Sequence, residues 1–330
     1  MREIGSEFWS VPTAQNKTGL FPADTVWYLS GRSALRAIVR ELKRDYKVKS
    51  IAVPSWCCDS MLQPLLAEEV SFEFYPVYVQ GGTLCRDLRE DCDALLVMDY
   101  FGYGNSSSPE GALVVRDLTH SLLSRPCADG DYFFGSLRKW CGIYTGGYAW
   151  KKEGKLYAPH AESSYYSRLR KQAMEEKARY IAGKTDSKAY LEKFAEAEAL
   201  LDPCAVLPAD ARDLSLAETL DADAIRARRR ENAAILLDLL APYALFPELG
   251  AEDCPLFVPI LVKNRDELKK YLISQNIYCP AHWPRTSLHR LDERTEQLYT
   301  QELSLICDQR YGAEDMQRLA EFVKRGIELC

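Results

Sequence analysis

The sequence predicts an α/β protein. A large unit would hold a mostly parallel sheet between two layers of helices, and a smaller C-terminal α/β unit would follow it. Between about residues 25 and 150, short apolar runs alternate with helical segments, an order typical of parallel sheets covered by helices. A polar, helix-rich stretch comes next, and strand and helix patterns return after residue 250. A chain of 330 residues with 47% hydrophobic content is long enough to bury a core in each unit.

Local periodicity defines the elements of the large unit. Apolar residues at Leu35, Ile38, Val39 and Leu42 form one stripe, which predicts an amphipathic helix over 34–46. Unbroken apolar runs predict strands that are buried on both faces. The remaining predicted elements are strands at 50–54, 70–79, 94–98, 112–115 and 148–150 and a helix at 60–67.

The rest of the chain is predicted to be helical before it becomes α/β again. Residues 160–201 are rich in Lys, Glu and Ala with helical periodicity, and a long helix is predicted over 221–243. The remaining predicted elements are a strand at 257–262 and helices at 265–275 and 313–328. We expect the large unit, including the segment 160–201, to span residues 1–205, and the long helix and small unit to span 206–330.

Charge and hydropathy weigh against nucleic acid and membrane partners. The formal net charge is −6, which disfavours polyanionic surfaces. The basic run Arg226–Arg230 lies in a predicted helix, where a solvated face explains it. No stretch approaches the roughly 18 apolar residues of a membrane span, and Met1–Glu7 lacks the apolar core of a signal peptide. We therefore expect a cytoplasmic protein.

The cysteines and histidines do not indicate a metal site. The eleven cysteines form no C-x-x-C pair, and the four histidines are widely separated. An odd number of scattered cysteines in a cytoplasmic chain is typical of reduced, buried thiols. We expect no bound metal.

The segment Ser30-Gly-Arg-Ser-Ala-Leu35 opens the first predicted helix. Gly31 permits a close backbone approach, and the free N–H groups of a first helical turn, with the helix dipole, attract anions. Arg32 and Ser33 would add side-chain contacts to a phosphate. The alternative is an ordinary Ser30 N-cap with no ligand.

The segment Arg116-Asp-Leu-Thr-His120 follows a predicted strand. An acid at the carboxyl end of a parallel strand stands where such folds bind ligands. His120, three residues after Asp117, would lie beside that carboxylate and hold its orientation. The alternative is that Asp117 caps the next helix and that His120 is an ordinary helical residue.

Lys139 lies in Gly135-Ser-Leu-Arg-Lys-Trp140, shortly before the pair Gly146-Gly147. A lysine that attacks an aldehyde must first lose its charge, so a nucleophilic Lys139 should be partly buried. Ser136 would donate a hydrogen bond to a phosphate. The alternative is a solvated surface lysine. The apolar neighbours that favour burial are Phe133, Phe134, Leu137, Trp140 and Tyr144.

Two further segments bear on the ligand. Pro54-Ser-Trp-Cys-Cys-Asp-Ser60 follows another predicted strand, and Trp56 or Cys58 would stack on a planar cofactor ring, unless both belong to the core. Gly102-Tyr-Gly104 resembles the start of a dinucleotide-binding turn, but Ser107 stands at the third glycine position and no helix follows. Nicotinamide binding is therefore disfavoured.

The order of these parts is the order that a pyridoxal phosphate (PLP) site requires. It needs a phosphate site, an acid that keeps the pyridine nitrogen protonated, and a lysine for the aldehyde. The sequence also resembles the fold-type-I PLP aminotransferases of the DegT/DnrJ/StrS group, which act on sugar nucleotides. The matching motifs are Ser30–Leu35, Pro54–Cys58, Asp99-Tyr-Phe-Gly102, Arg116–His120, and Ser136–Lys139 with Gly146-Gly147.

This resemblance implies a role for each residue. Lys139 would form the internal aldimine and carry protons, and Asp117 would face the pyridine nitrogen. His120 would lie beside the ring, while Ser136 and the turn Gly31–Ser33 would hold the phosphate. Arg32 departs from the small hydroxyl residue that is usual in the family, and Cys58 from the usual aromatic or imidazole group. The segment 160–201 has no counterpart in the family's motifs.

The sequence therefore predicts a PLP-dependent aminotransferase for a keto-sugar nucleotide or a related small carbonyl compound. The resemblance implies an amino donor and a homodimer with its sites at the interface. His282, in Pro280-Ala-His-Trp-Pro284, would reach the cleft from the small unit and contact substrate, or would serve only as part of a turn. The alternatives are a PLP lyase or transferase that acts on an amino acid, and a protein that binds PLP without turnover.

Overall fold

The computed structural model describes residues 3–89, 91–104, 111–125, 129–160, 164–290 and 292–329. Helices and strands alternate through the first half of the chain and again near its end. In chain order, the elements of the first half are β1 (Ile4–Gly5), β2 (Val26–Tyr28), α1 (Gly31–Asp45), β3 (Ser50–Pro54), α2 (Asp59–Ala67), β4 (Ser71–Tyr75), β5 (Val77–Gln80), β6 (Thr83–Arg86), β7 (Ala94–Met98), β8 (Leu113–Asp117), β9 (Tyr132–Ser136) and β10 (Gly147–Lys151). They are followed by α3 (Ser164–Ile181), α4 (Tyr190–Ala199), α5 (Ala211–Glu218), α6 (Ala222–Leu240), β11 (Phe257–Leu261), α7 (Arg265–Ser274), β12 (Ile277–Tyr278), α8 (Glu293–Gln301), β13 (Glu302–Ile306) and α9 (Ala313–Leu329).

A seven-stranded sheet forms the centre of the large unit, in the order β2-β10-β9-β8-β7-β3-β4. Strands β4, β3, β7, β8 and β9 run parallel, whereas β10 is antiparallel to both β9 and β2. Every residue of β7 is buried, as expected for a strand covered on both faces. The predicted α/β class with a mostly parallel sheet is confirmed. The predicted strand 70–79 is divided into β4 and β5.

Helix α1 begins where the Ser30 cap predicts. The Ser30 side chain accepts a hydrogen bond from the Ser33 N–H, and the apolar stripe that includes Leu35 and Ile38 is buried. The start of α1 lies close against β10, because a Cβ atom on Gly147 would come within 2.1 Å of the Ser30 carbonyl oxygen. Only a glycine at position 147 allows the start of α1 to lie this close to β10.

The segment 160–201 contains the antiparallel pair α3 and α4, which pack on each other. Leu201, just after α4, joins Leu29 and Tyr166 in a small buried cluster. The chain that follows reaches α1, where the Ser33 hydroxyl donates to the Ala205 carbonyl at 2.7 Å. The helical pair is thus attached to the beginning of α1.

The C-terminal part packs α6, α7 and α9 around the antiparallel pair β11 and β13. The N-terminal segment is tied to it, because β1 pairs in parallel with β12. The C-terminal part also contacts the large unit. Asp213 of α5 accepts hydrogen bonds from the backbone N–H groups of Tyr144 and Thr145. The division at residue 205 stays a prediction. None of the helices in the described residues is both long and apolar enough to cross a membrane.

Candidate active site

A cavity of about 260 Å³ lies at the carboxyl ends of the central parallel strands. Asp117 ends β8, Ser136 ends β9, and Gly31 begins α1. Parallel strands place their carboxyl ends at one edge of the sheet, and this is where open α/β folds bind ligands. Side chains from distant parts of the sequence therefore converge here. The predicted residues that line the cavity are Gly31, Arg32, Cys58, Asp117, His120, Ser136 and Lys139.

Asp117 is a buried carboxyl group in this wall. Its Oδ1 atom accepts a hydrogen bond from the Thr119 N–H at 2.8 Å. Burial raises the pKa of Asp117 to about 6, although the hydrogen bonds from Thr119 oppose this rise. Asp117 is mainly ionised at neutral pH, but at a cost in desolvation that a cation placed against it would offset.

His120 stands beside Asp117 and is 2% exposed. Its ring stacks on Trp283 with centroids 5.6 Å apart and meets the His282 ring edge-on at 5.5 Å. Burial, together with His282 and Lys139, holds the pKa of His120 well below its ordinary value. The imidazole is neutral at physiological pH, and its Nδ1 atom is buried and has no hydrogen-bond partner among the described residues.

The opposite end of the cavity is rich in hydrogen-bond donors. Ser136 is buried, and none of the residues that the structure describes forms a hydrogen bond with its hydroxyl. A Cβ atom on Gly31 would lie 3.5 Å from the Ser136 Cβ, so the start of α1 and Ser136 are in contact. Arg32 adds a guanidinium that pairs with Glu198 of α4 at 3.2 Å. Helix N–H groups, a hydroxyl and a guanidinium together form an anion-binding environment.

Lys139 lies at the junction of this cavity with a second one of about 490 Å³. The expectation that Lys139 would be partly buried is wrong for the isolated chain, because its side chain is exposed. Leu137 and Trp140 enter the core on either side, so the short 3₁₀ turn Leu137–Lys139 presents the amine outward. Lys139 therefore reaches both cavities.

The second cavity is enclosed by parts of the chain that lie far apart in sequence. The N-terminal segment contributes Glu7 and Phe8, the start of α4 contributes Tyr190, and the C-terminal part contributes Lys269 and Tyr278. Arg138 and Lys139 line both cavities. Its volume is in the range of small-molecule sites, and its wall combines apolar side chains with many charged ones.

Three of the predicted site residues do not line the smaller cavity. The Ser33 hydroxyl is used internally, since it contacts Ser30 and donates to the Ala205 carbonyl. Trp56 is fully buried behind the wall, stacked on Tyr100, and its indole N–H donates to the His282 carbonyl. His282 is buried behind His120, where its Nδ1 lies 2.8 Å from the Ser304 hydroxyl.

Among the residues of the cavity wall that the sequence does not predict are Arg138, Glu198 and Trp283. Arg138 and Trp283 stand next to Lys139 and His282, but nothing in their spacing distinguishes them. Glu198 lies in a helix of alternating charged residues and carries no local signal. Only the packing of α4 against the start of α1 reveals it.

No protein-family model matches the sequence, and no curated protein matches it. Solved structures do match the fold. A DegT DnrJ EryC1 StrS aminotransferase from Brucella abortus is 16% identical with a TM-score of 0.59, covering 91% of this chain and 85% of that chain. The sugar aminotransferase CalS13 from Micromonospora echinospora is 15% identical with a TM-score of 0.60, covering 92% of this chain and 87% of that chain.

A third match, Spr1654 from Streptococcus pneumoniae in its PLP form, is 15% identical with a TM-score of 0.64 and covers 97% of this chain and 93% of that chain. It has also been solved in PMP and apo forms. The chain thus has the fold of the DegT/DnrJ/StrS-type aminotransferases over most of its length. The fold that the resemblance implied is confirmed.

Proposed function

We propose that this protein is a PLP-dependent aminotransferase that acts on a sugar or a related small carbonyl compound, such as a keto-sugar nucleotide. One observation carries the proposal. Asp117, His120, Ser136, Lys139 and the start of α1 line a single cavity at the ligand-binding edge of this fold. The neighbours in structure include a sugar aminotransferase and a protein solved with PLP.

The residues present fit PLP. Ser136 Oγ and His120 Nδ1 are buried polar atoms with no hydrogen-bond partner in the described ranges of the chain. Buried polar groups without partners are uncommon unless a ligand or water satisfies them. The Ser136 hydroxyl, Arg32 and the start of α1 would hold the phosphate. Asp117 would face the pyridine nitrogen, and His120 and Cys58 would flank the ring. Bound there, PLP would supply an aldehyde that accepts amino groups and a ring that withdraws electrons.

The chain's own groups would then act as follows. The Asp117 carboxylate would hold a proton on the pyridine nitrogen. The neutral His120 would keep the neighbourhood of the ring from gaining a further positive charge. The Lys139 amine would hold the aldehyde carbon covalently, with loss of the carbonyl oxygen as water, and on release it would carry a proton at its Nζ atom. Because Lys139 reaches both cavities, it would serve a substrate bound in the larger one. We expect a homodimer, in which a second subunit covers the exposed Lys139.

Titration with PLP tests the proposal. The protein should develop a visible absorption band, and borohydride should fix the cofactor to the peptide that contains Lys139, as detected by mass spectrometry. Lys139→Ala should abolish both signals, whereas Lys155→Ala, which changes an exposed lysine in the loop after β10, should retain them. A Lys139→Ala protein that keeps the same reducible adduct would overturn the assignment.

Incubation with an amino donor alone separates the alternatives. An aminotransferase should convert the bound cofactor to its pyridoxamine form when supplied with an amino acid such as L-glutamate. A PLP lyase would release product from an amino acid with the cofactor unchanged. A protein that only binds PLP would do neither.

A further inference from the structure

Two arginines meet at the donor-rich end of the smaller cavity. Arg32 comes from the start of α1, and Arg138 directly precedes Lys139. One carboxylate joins them: Glu198 of α4 lies 3.2 Å from Arg32 Nη2 through Oε1 and 3.2 Å from Arg138 Nη1 through Oε2. All three residues line the cavity, together with Ser136.

The Glu198 carboxylate does not accept a hydrogen bond from every donor around it. Arg32 Nη1, Arg138 Nε and Ser136 Oγ are each buried, and within the part of the chain that the structure describes they lack a hydrogen-bond partner. Asp202 also faces Arg32 Nη1, but at 3.6 Å, beyond hydrogen-bond distance. A buried donor without a hydrogen bond is destabilising, so three of them in the wall of one cavity indicate a ligand with more acceptor atoms than a carboxylate. A phosphate group offers three acceptor oxygens and a charge near −2.

We propose that Arg138 joins Arg32 and Ser136 in binding a phosphate group, and that Glu198 is an internal counter-ion which the phosphate displaces. The proposal rests on the proposed function only in naming the phosphate of PLP as the ligand. Glu198 would repel that phosphate while it remains between the two guanidinium groups. Cofactor affinity is then set by competition between an anion in the chain and an anion in solution.

The position of Glu198 allows this exchange. Its side chain is 49% exposed, so it can turn from the cavity into water. The nearby guanidinium groups, Arg138 above all, lower the pKa of Glu198 to about 2, so it stays ionised at any working pH. Glu198 stands in the last turn of α4, and its release would loosen that end of the helix.

Binding measurements on charge-neutral variants test the competition. PLP and inorganic phosphate would each be titrated into the wild-type chain, Glu198→Gln and Glu192→Gln. Glu192 is an exposed residue of the same helix, so its replacement makes the same change in net charge away from the cavity. Glu198→Gln should bind both ligands about three- to tenfold more tightly, because one nearby negative charge is lost. Glu192→Gln should match the wild type.

Hydrogen exchange on the wild-type chain provides a second measurement that needs no mutation. On addition of phosphate, amides in the last turn of α4 should exchange faster, and those at the start of α1 should exchange more slowly. Unchanged or weaker binding by Glu198→Gln, or increased protection of α4, would overturn the displacement. If Glu198→Gln gains phosphate affinity but no variant gives a visible band with PLP, the displacement stands and the proposed function fails.

Discussion

Replacement of Asp117 by Asn should stabilise the cofactor-free protein. Asp117 is 6% exposed, and burial raises its pKa from an ordinary 3.8 to about 6. Between these two values the folded chain binds more protons than the unfolded chain, so stability falls as the pH rises through this range and levels off above about 6. The difference between the two pKa values lowers the free energy of unfolding by roughly 3 kcal/mol at pH 7.5. Asn removes this cost and keeps an oxygen that accepts from the Thr119 N–H.

The assay is urea unfolding of both proteins at several pH values, without PLP. The stability gain of Asp117→Asn should reach about 1–3 kcal/mol at pH 7.5 and shrink towards zero at about pH 3, where wild-type Asp117 is mainly protonated in both states. Asp238→Asn, an exposed change on α6, should show no such pH dependence. A variant that is no more stable than the wild type at pH 7.5, or a gain that does not vary with pH, would show that the buried Asp117 carboxylate does not destabilise the fold.

Three further predictions concern other parts of the fold. Asp99→Asn leaves the fully buried Arg116 without its carboxylate at 3.0 Å and should cost about 3–5 kcal/mol in urea unfolding. Gly147→Ala places a Cβ atom 2.1 Å from the Ser30 carbonyl oxygen, so it should cost about 1–3 kcal/mol in the same measurement and weaken PLP binding by displacing the start of α1. Cys58, a partly exposed thiol in the cavity wall whose pKa is raised by burial, should be alkylated several-fold more slowly when PLP is bound.

Two of these predictions have an internal comparison. Gly31→Ala meets only ordinary contacts at 3.5 Å and should be far less destabilising than Gly147→Ala. Cys85, a partly exposed thiol of β6, should be alkylated at the same rate with and without PLP. A loss below about 1 kcal/mol for Asp99→Asn would mean that the buried Arg116 is satisfied without the Asp99 carboxylate.

Local pattern was sufficient for most of the fold. The stripe from Leu35 to Leu42 predicts the buried face of α1, and the Ser30 cap predicts where the helix begins. The unbroken apolar run 94–98 predicts β7. These features depend on neighbours within one helical turn or one strand, so the sequence encodes them directly. Elements without such a pattern, including α5, α8 and β13, were not predicted as separate elements.

The order of the parts follows from the sequence alone: a helix start with Gly31, an acid at a strand end, and Lys139 further along the chain. The tertiary fold selects which side chains reach the cavity. It placed Trp56 in the core, left Lys139 exposed and brought Glu198 to Arg32 and Arg138. Backbone periodicity fixes an element and its buried face, whereas contacts between distant elements depend on how those faces pack. The sequence around a charged residue on a solvated helix therefore does not predict which distant residue it will contact.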